Sequence, residues 1–152
     1  MNDYDIDIIK LAHQGFCCAQ IIIQMALDLQ GTTNPGLIRA MNALCHGEVG
    51  TQGPCGALAG AACLIAYYRG KGSAATDADE RLPLMLADLS LWFDQYASRR
   101  FGGINCSDIV GDGEPDRSVC GGLVAECYGR AMAILTENGF DPSNLPNDDN
   151  LT

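Results

Sequence analysis

Apolar residues recur at helical spacing along nearly the whole chain, and no segment shows the alternate-residue pattern of a half-buried strand. In residues 5–13, Ile6, Ile9 and His13 mark one helical face, Ile8 and Leu11 lie beside it, and Gly15 is placed to stop the helix. From Cys17 to Leu29 the chain is apolar nearly all round, through Ile21, Ile22, Ile23, Met25, Ala26 and Leu27, and Gly31 ends it. A helix with no polar face belongs in the middle of a fold. Asn34-Pro35 is a cap-and-first-turn pair, and it opens a third helix through Leu37, Ile38, Met41 and Leu44 that stops at Gly47.

The glycine loop GEVGTQG leads to Pro54 and a fourth helix, Cys55 to Arg69. Gly56, Ala57, Ala59, Gly60, Ala61 and Ala62 are small enough to let another helix come very close, either from the same chain or from a second copy. RGKGSAATDADE reads as an exposed linker. A fifth helix follows through Leu84, Leu86, Leu89, Trp92, Phe93 and Tyr96, and its aromatic residues, with Phe101, are expected in the core. FGGIN turns into a short helix from Cys106 to Val110, GDGEPD is a loop, and a last helix runs from Arg117 to Asn138. The tail DPSNLPNDDNLT is polar and expected to be disordered. The pattern therefore predicts an all-α protein, a compact single-domain bundle of six or seven helices over residues 1–140, with a tail over 141–152.

Composition agrees with one globular unit: hydrophobic residues make up 47% and charged residues 18% of the 152. A net charge of −10 argues against nucleic acid or an anionic membrane surface as the main partner. The longest apolar run, Ala57 to Tyr68, is too short to span a bilayer, and the acidic first residues do not resemble a secretory signal. A cytoplasmic location is the expectation. Thiols there stay reduced unless they cycle or bind metal, so eight cysteines are not expected to serve as structural disulfides.

Four of the eight fall at expected helix starts: Cys18, Cys55, Cys106 and Cys120. A helix N-terminus presents unpaired N–H groups and the positive end of the backbone dipole, which favours the nucleophilic, metal-binding thiolate. If the four termini converge, they form a site for concentrated negative charge. Cys63 and Cys127 lie deep in the same helices as Cys55 and Cys120, too far along to pair with them, and are expected to be small buried hydrophobes. Cys17 points away from Cys18 and is expected to be its neighbour only, while Cys45, at the edge of the glycine loop, is open between core and site.

These positions carry a resemblance. Cys18-Ala19-Gln20 after Gly15-Phe16, C-G-A-L-A-G at Cys55 to Gly60, F-G-G-I-N-C at Phe101 to Cys106, and Cys120 before the last helix follow one another in order. Together they resemble the family of redox proteins named for its C, GCAxxG, C, C pattern, over residues 5 to 138. The named element has glycine before its cysteine and alanine after it, where this chain has Pro54 and Gly56, and the closing glycine comes one position late at Gly60. The resemblance implies a small all-helical protein with a redox role carried by Cys18, Cys55, Cys106 and Cys120, and no defined substrate.

Other chemistry is weakly signalled. His13 and Cys17 have metal-chelating spacing but straddle Gly15, and His46 borders the glycine loop. No C-x-x-C pair or ferredoxin-like run is present, the glycine loop lacks the Lys-Ser/Thr of a phosphate loop, and GDGEPD loses calcium-loop spacing after Asp116. The first expectation is thus a thiol-based redox protein, oxidoreductase-like if it turns over a substrate, with Cys55 as the reactive thiolate, Cys18, Cys106 or Cys120 as resolving thiol, and an unidentified redox partner. The alternative is a metal ion or iron–sulfur cluster held by the same four sulfurs, with His46 and Cys45 as further candidate ligands. A non-catalytic helical interaction module, with or without self-association, is the third.

Overall fold

A computed structural model describes residues 2–50 and 52–144. Seven α-helices follow one another: α1 (Asp5–His13), α2 (Cys18–Gln30), α3 (Pro35–Met41), α4 (Gly56–Arg69), α5 (Leu82–Phe101), α6 (Cys106–Val110) and α7 (Arg117–Glu137), with one 3-10 turn at Asn42–Leu44. The class is all-α and the bundle is single, as the apolar pattern predicts.

Local signals set most boundaries. Gly15 takes φ +91° after α1 and Gly31 takes φ +68° after α2, the left-handed stop that glycine tolerates best. Asn34 caps α3 by accepting from the Leu37 N–H at 3.0 Å, and Asp116 caps α7 by accepting from the Ser118 N–H at 2.9 Å.

α2 lies at the centre, as its all-round apolar character requires. Ala19, Ile22, Ile23, Ala26 and Leu27 are completely buried, and α1, α3, α4 and α7 all pack against it. Gln20, a polar residue on this helix, donates to the Ile38 carbonyl at 3.1 Å and so fixes α3 without leaving a buried amide unpaired. α5 closes the bundle over α4 and α7 through Met85, Leu89, Phe93 and Ala97. Of the aromatic group only Phe93 is fully buried; Trp92, Tyr96 and Phe101 pack at the core's edge.

The closest approach is between α2 and α4. A Cβ added at Gly60 would sit 3.0 Å from Ala19 Cα and 3.2 Å from its carbonyl oxygen, main-chain atoms that have little room to move. The small-residue face of α4 thus packs within the chain, against α2.

Three expectations change. In α1 it is Ile8 and Leu11 that are buried, while Ile6 and Ile9 are 71% and 54% exposed. Only one side of this short helix meets the bundle, and its apolar residues alone do not say which. The 69–80 segment is largely exposed, but Thr76 is buried and the Asp79 N–H bonds the Arg69 carbonyl at 2.9 Å. Asp141–Asn144 form a turn tied to the bundle by the Tyr68 hydroxyl, which donates to the Pro142 carbonyl at 2.6 Å; the rest of the predicted tail, 145–152, lies outside the described residues. Among the described residues α7 alone is long and apolar enough to cross a membrane by itself. Its Leu123, Val124, Ala125, Cys127, Ala131, Ile134 and Leu135 are buried in the bundle, as in a core helix.

The same substitution should have opposite signs at two helical glycines. Gly60→Ala forces α2 and α4 apart and should lower unfolding free energy by about 1–3 kcal/mol. Gly122, in α7, has nothing within 4 Å of an added Cβ, so Gly122→Ala should raise it by about 0.5–1 kcal/mol. Urea unfolding of both variants measures the difference.

Candidate functional site

Helix starts supply the cysteines. Cys18 is the first residue of α2, Cys55 the N-cap of α4, and Cys106 the first residue of α6. Cys120 is the fourth residue of α7, and its own N–H already bonds the Asp116 carbonyl at 3.0 Å. It therefore sits on the first turn but is not offered an unpaired amide of its own.

Two of these helix starts are tied together by main chain. Pro54 and Asn105 form an isolated antiparallel bridge. The Cys55 N–H donates to the Ile104 carbonyl and the Cys106 N–H to the Gly53 carbonyl, each at 2.9 Å. Side chains alternate faces along a paired segment, so Cys55 and Cys106, each one step beyond a bridged residue, share a face.

Cys18 joins them through Gly56. A Cβ at Gly56 would collide with Cys18 Sγ, and would also lie 2.9 Å from the Leu44 carbonyl oxygen and 3.6 Å from Cys45 Cα. Only glycine leaves room there for the Cys18 sulfur. Charge on one thiol is felt by the others: Cys55 and Cys120 both disfavour ionisation of Cys18, Cys106 disfavours that of Cys55, and Cys55 and Cys106 disfavour that of Cys120.

The helix ends act on the sulfurs as expected, but burial outweighs them. The backbone N–H groups of Ala57 and Leu58 favour the thiolate of Cys55, and those of Ala19 and His46 that of Cys18. Desolvation is nonetheless the largest influence on every one of the four: it raises Cys55, Cys106 and Cys120 above the ordinary thiol value and pushes Cys18 up to about 11. In this closed arrangement the free thiols are neutral near pH 7.

The remaining cysteines hold the larger surprise. Cys17 and Cys45 are joined in a disulfide, with Cα atoms 6.0 Å apart. Cys17 is thus more than the neighbour of Cys18, and the bond clamps the N-cap of α2 to Cys45, the residue that ends the 3-10 turn. No spacing rule signals a pair 28 residues apart. Beyond Cys45 the chain runs through five successive residues of positive φ, His46 to Gly50 at 58°, 79°, 57°, 44° and 69°. Left-handed backbone costs about 1–2 kcal/mol per non-glycine residue, and this turn is held at one end by the disulfide and at the other by the Pro54–Asn105 bridge.

Cys127 is fully buried, as expected, yet Cys55 and Cys18 both bear on its ionisation. Seven residues is nearly two whole helical turns, a signal in the sequence that Cys127 lies on the same face of α7 as Cys120. Cys63 is half-buried, less than expected, and its electrostatic neighbour is Glu48 and none of the four helix-start thiols.

The metal expectation finds no ligand set. Among the described residues no three His, Cys, Asp or Glu side chains are grouped so as to hold a metal ion. Cys45 is committed to the disulfide, and His46 has an exposed side chain and meets Cys18 through its backbone N–H.

A family model described as "Putative redox-active protein (C_GCAxxG_C_C)" matches residues 16–134, a span that holds all four helix-start cysteines. No curated protein and no solved structure matches the chain.

Because Cys18 is raised to about 11, its thiolate fraction is small at neutral pH and grows about tenfold per pH unit until that value is approached. Iodoacetamide labelling of Cys18, read by peptide mass spectrometry, should rise about tenfold from pH 9 to pH 10. A rise of about twofold or less over that interval would mean an ordinary, unburied thiol.

Proposed function

The chain belongs to the C_GCAxxG_C_C family of redox-active proteins, and from that membership we propose that it performs thiol–disulfide exchange through Cys18, Cys55, Cys106 and Cys120. The observation that carries this reading is the position of Cys55. It occupies the N-cap of α4, its thiolate is favoured by the Ala57 and Leu58 N–H groups, and it is electrically linked to each of the other three thiols.

Cys55 is the proposed nucleophile. Cys55 is 8% exposed, and the Ala57 and Leu58 amides favour the charge that forms when it loses its proton. The thiolate attacks one sulfur of a partner disulfide, and the partner's other sulfur leaves as a thiol. Cys18, Cys106 or Cys120 then attacks Cys55 and releases the partner's second thiol. Two protein thiols are oxidised to one disulfide and the partner disulfide is reduced to two thiols. The metal or iron–sulfur alternative needs the same four sulfurs drawn into a tighter group; their mutual coupling is what favours it. The interaction-module reading has no observation of its own behind it.

Cys55→Ser and Cys63→Ser separate site from scaffold. With glutathione disulfide, the wild type should lose free thiols to a new intramolecular disulfide involving Cys55. Cys55→Ser should lose that exchange by at least tenfold, and Cys63→Ser should retain it with stability changed by about 1 kcal/mol or less. Equal effects from the two variants, read by thiol titration, would remove Cys55 from its role.

A further inference from the structure

We propose that Cys17–Cys45 is a second redox centre, and that it exchanges inside the molecule with the thiols of Cys18 and Cys55. This rests on the preceding reading, since Cys18 and Cys55 must be redox-active for it to hold. Neither Cys17 nor Cys45 belongs to the four-cysteine pattern; what assigns them a role is where they lie.

Cys18, Cys45 and Cys55 meet at the first turn of α4, and Cys17 is bonded to Cys45. Cys55 caps that turn, and Gly56 follows it. The missing side chain of Gly56 leaves a space bounded by Cys18 Sγ on one side and by Leu44 and Cys45 main chain on the other. Cys18 Sγ and Cys45 Cα both border the position of an added Cβ at Gly56, and the N–H of His46, the residue next to Cys45, bears on the Cys18 thiol, so that thiol lies near the Cys45 end of the disulfide. Cys17 is adjacent to Cys18 in the chain and on the other end of that bond. Cys55 is the thiol whose charge bears most on Cys18. A nucleophile, a disulfide and a resolving thiol are thus packed around one glycine.

The chemistry needs no outside reagent. Cys18 gives up its proton and attacks Cys45 Sγ; the Cys17–Cys45 bond breaks and Cys17 departs as a thiol. Cys45 is the sulfur attacked because a bond between neighbouring Cys17 and Cys18 would be strained. Cys55 then gives up its proton and attacks Cys18 Sγ, forming Cys18–Cys55 and freeing Cys45 as a thiol. One S–S bond replaces another, two S–H bonds are lost and two are made. In this scheme the disulfide clamped beneath the left-handed turn stores the oxidised state, and the helix-start pair receives it. The reverse sequence returns it.

The test starts from protein in which Cys17–Cys45 is intact and the other six cysteines are reduced. It is held without oxygen, added thiol or oxidant at mildly alkaline pH, quenched with acid, alkylated with N-ethylmaleimide and mapped by mass spectrometry. The expected products are Cys18–Cys45 and Cys18–Cys55 linkages, appearing as Cys17–Cys45 declines, at a rate independent of protein concentration and with total free thiols unchanged. Cys17→Ser should form no Cys18–Cys55 linkage in this incubation and should still form it with glutathione disulfide. If the wild type keeps only Cys17–Cys45 while glutathione disulfide links Cys18 to Cys55, the exchange is wrong and the redox reading stands. If neither treatment links Cys18 to Cys55 but glutathione disulfide links Cys55 to Cys106 or Cys120, the exchange is again wrong and the redox reading stands; if Cys55 gains no disulfide under either treatment, both fall. Cys17 and Cys45 found as free thiols that mild oxidation cannot join would also overturn the proposal.

Discussion

The close contact between α2 and the first turns of α4 is the constraint on which the rest of the structure depends. At Gly60 the two main chains approach until even a methyl group would have to push Ala19 back by a few tenths of an ångström, and at Gly56 the same approach leaves a gap that a sulfur fills. Dispersion and apolar burial hold the pair together, and Ala19 on α2 and Ala57 and Ala61 on α4 are buried. The consequence for chemistry is positional. Because α4 cannot slide on α2 without a clash, the start of one helix is registered against the start of the other, and Cys18 and Cys55 come with them.

The electrostatics of that position are a contest between two effects. Backbone amides at the helix starts favour the thiolate, and the enclosing bundle disfavours any charge. Desolvation prevails at all four thiols. A thiol kept neutral resists casual oxidation and alkylation, since the thiolate is the reactive form. The backbone amides near Cys55 and Cys18 do not make standing nucleophiles; they lower the cost of forming one when a disulfide is presented. Selectivity of this kind suits an exchange protein more than a scavenger of oxidants.

Much of the fold was legible because its signals are local. Asn34-Pro35, Gly31 and the all-round apolar run of α2 need only a few neighbouring residues to be read. The buried side of α1 was not legible: Ile6, Ile8, Ile9 and Leu11 point around most of a short helix, and only the position of the bundle decides among them. At the site, the four helix-start cysteines were found by the same local rules. Their raised pKa values could not be, because the dipole is written in the sequence and the burial is a property of the assembled bundle. The Cys17–Cys45 disulfide was missed for the related reason that it joins two elements across 28 residues. Cys127 could have been placed near the site from its two-turn spacing to Cys120.

What ties these observations together is the claim that sulfurs scattered from residue 18 to residue 120 surround Cys55. The most direct measurement of it is a crystal structure of the reduced protein in which anomalous scattering locates each sulfur independently of the chain trace. The account predicts Cys18, Cys106 and Cys120 as neighbours of the Cys55 sulfur, with Cys18 seated over Gly56. Sulfurs of Cys106 or Cys120 found on a different side of the bundle from Cys55 would contradict it.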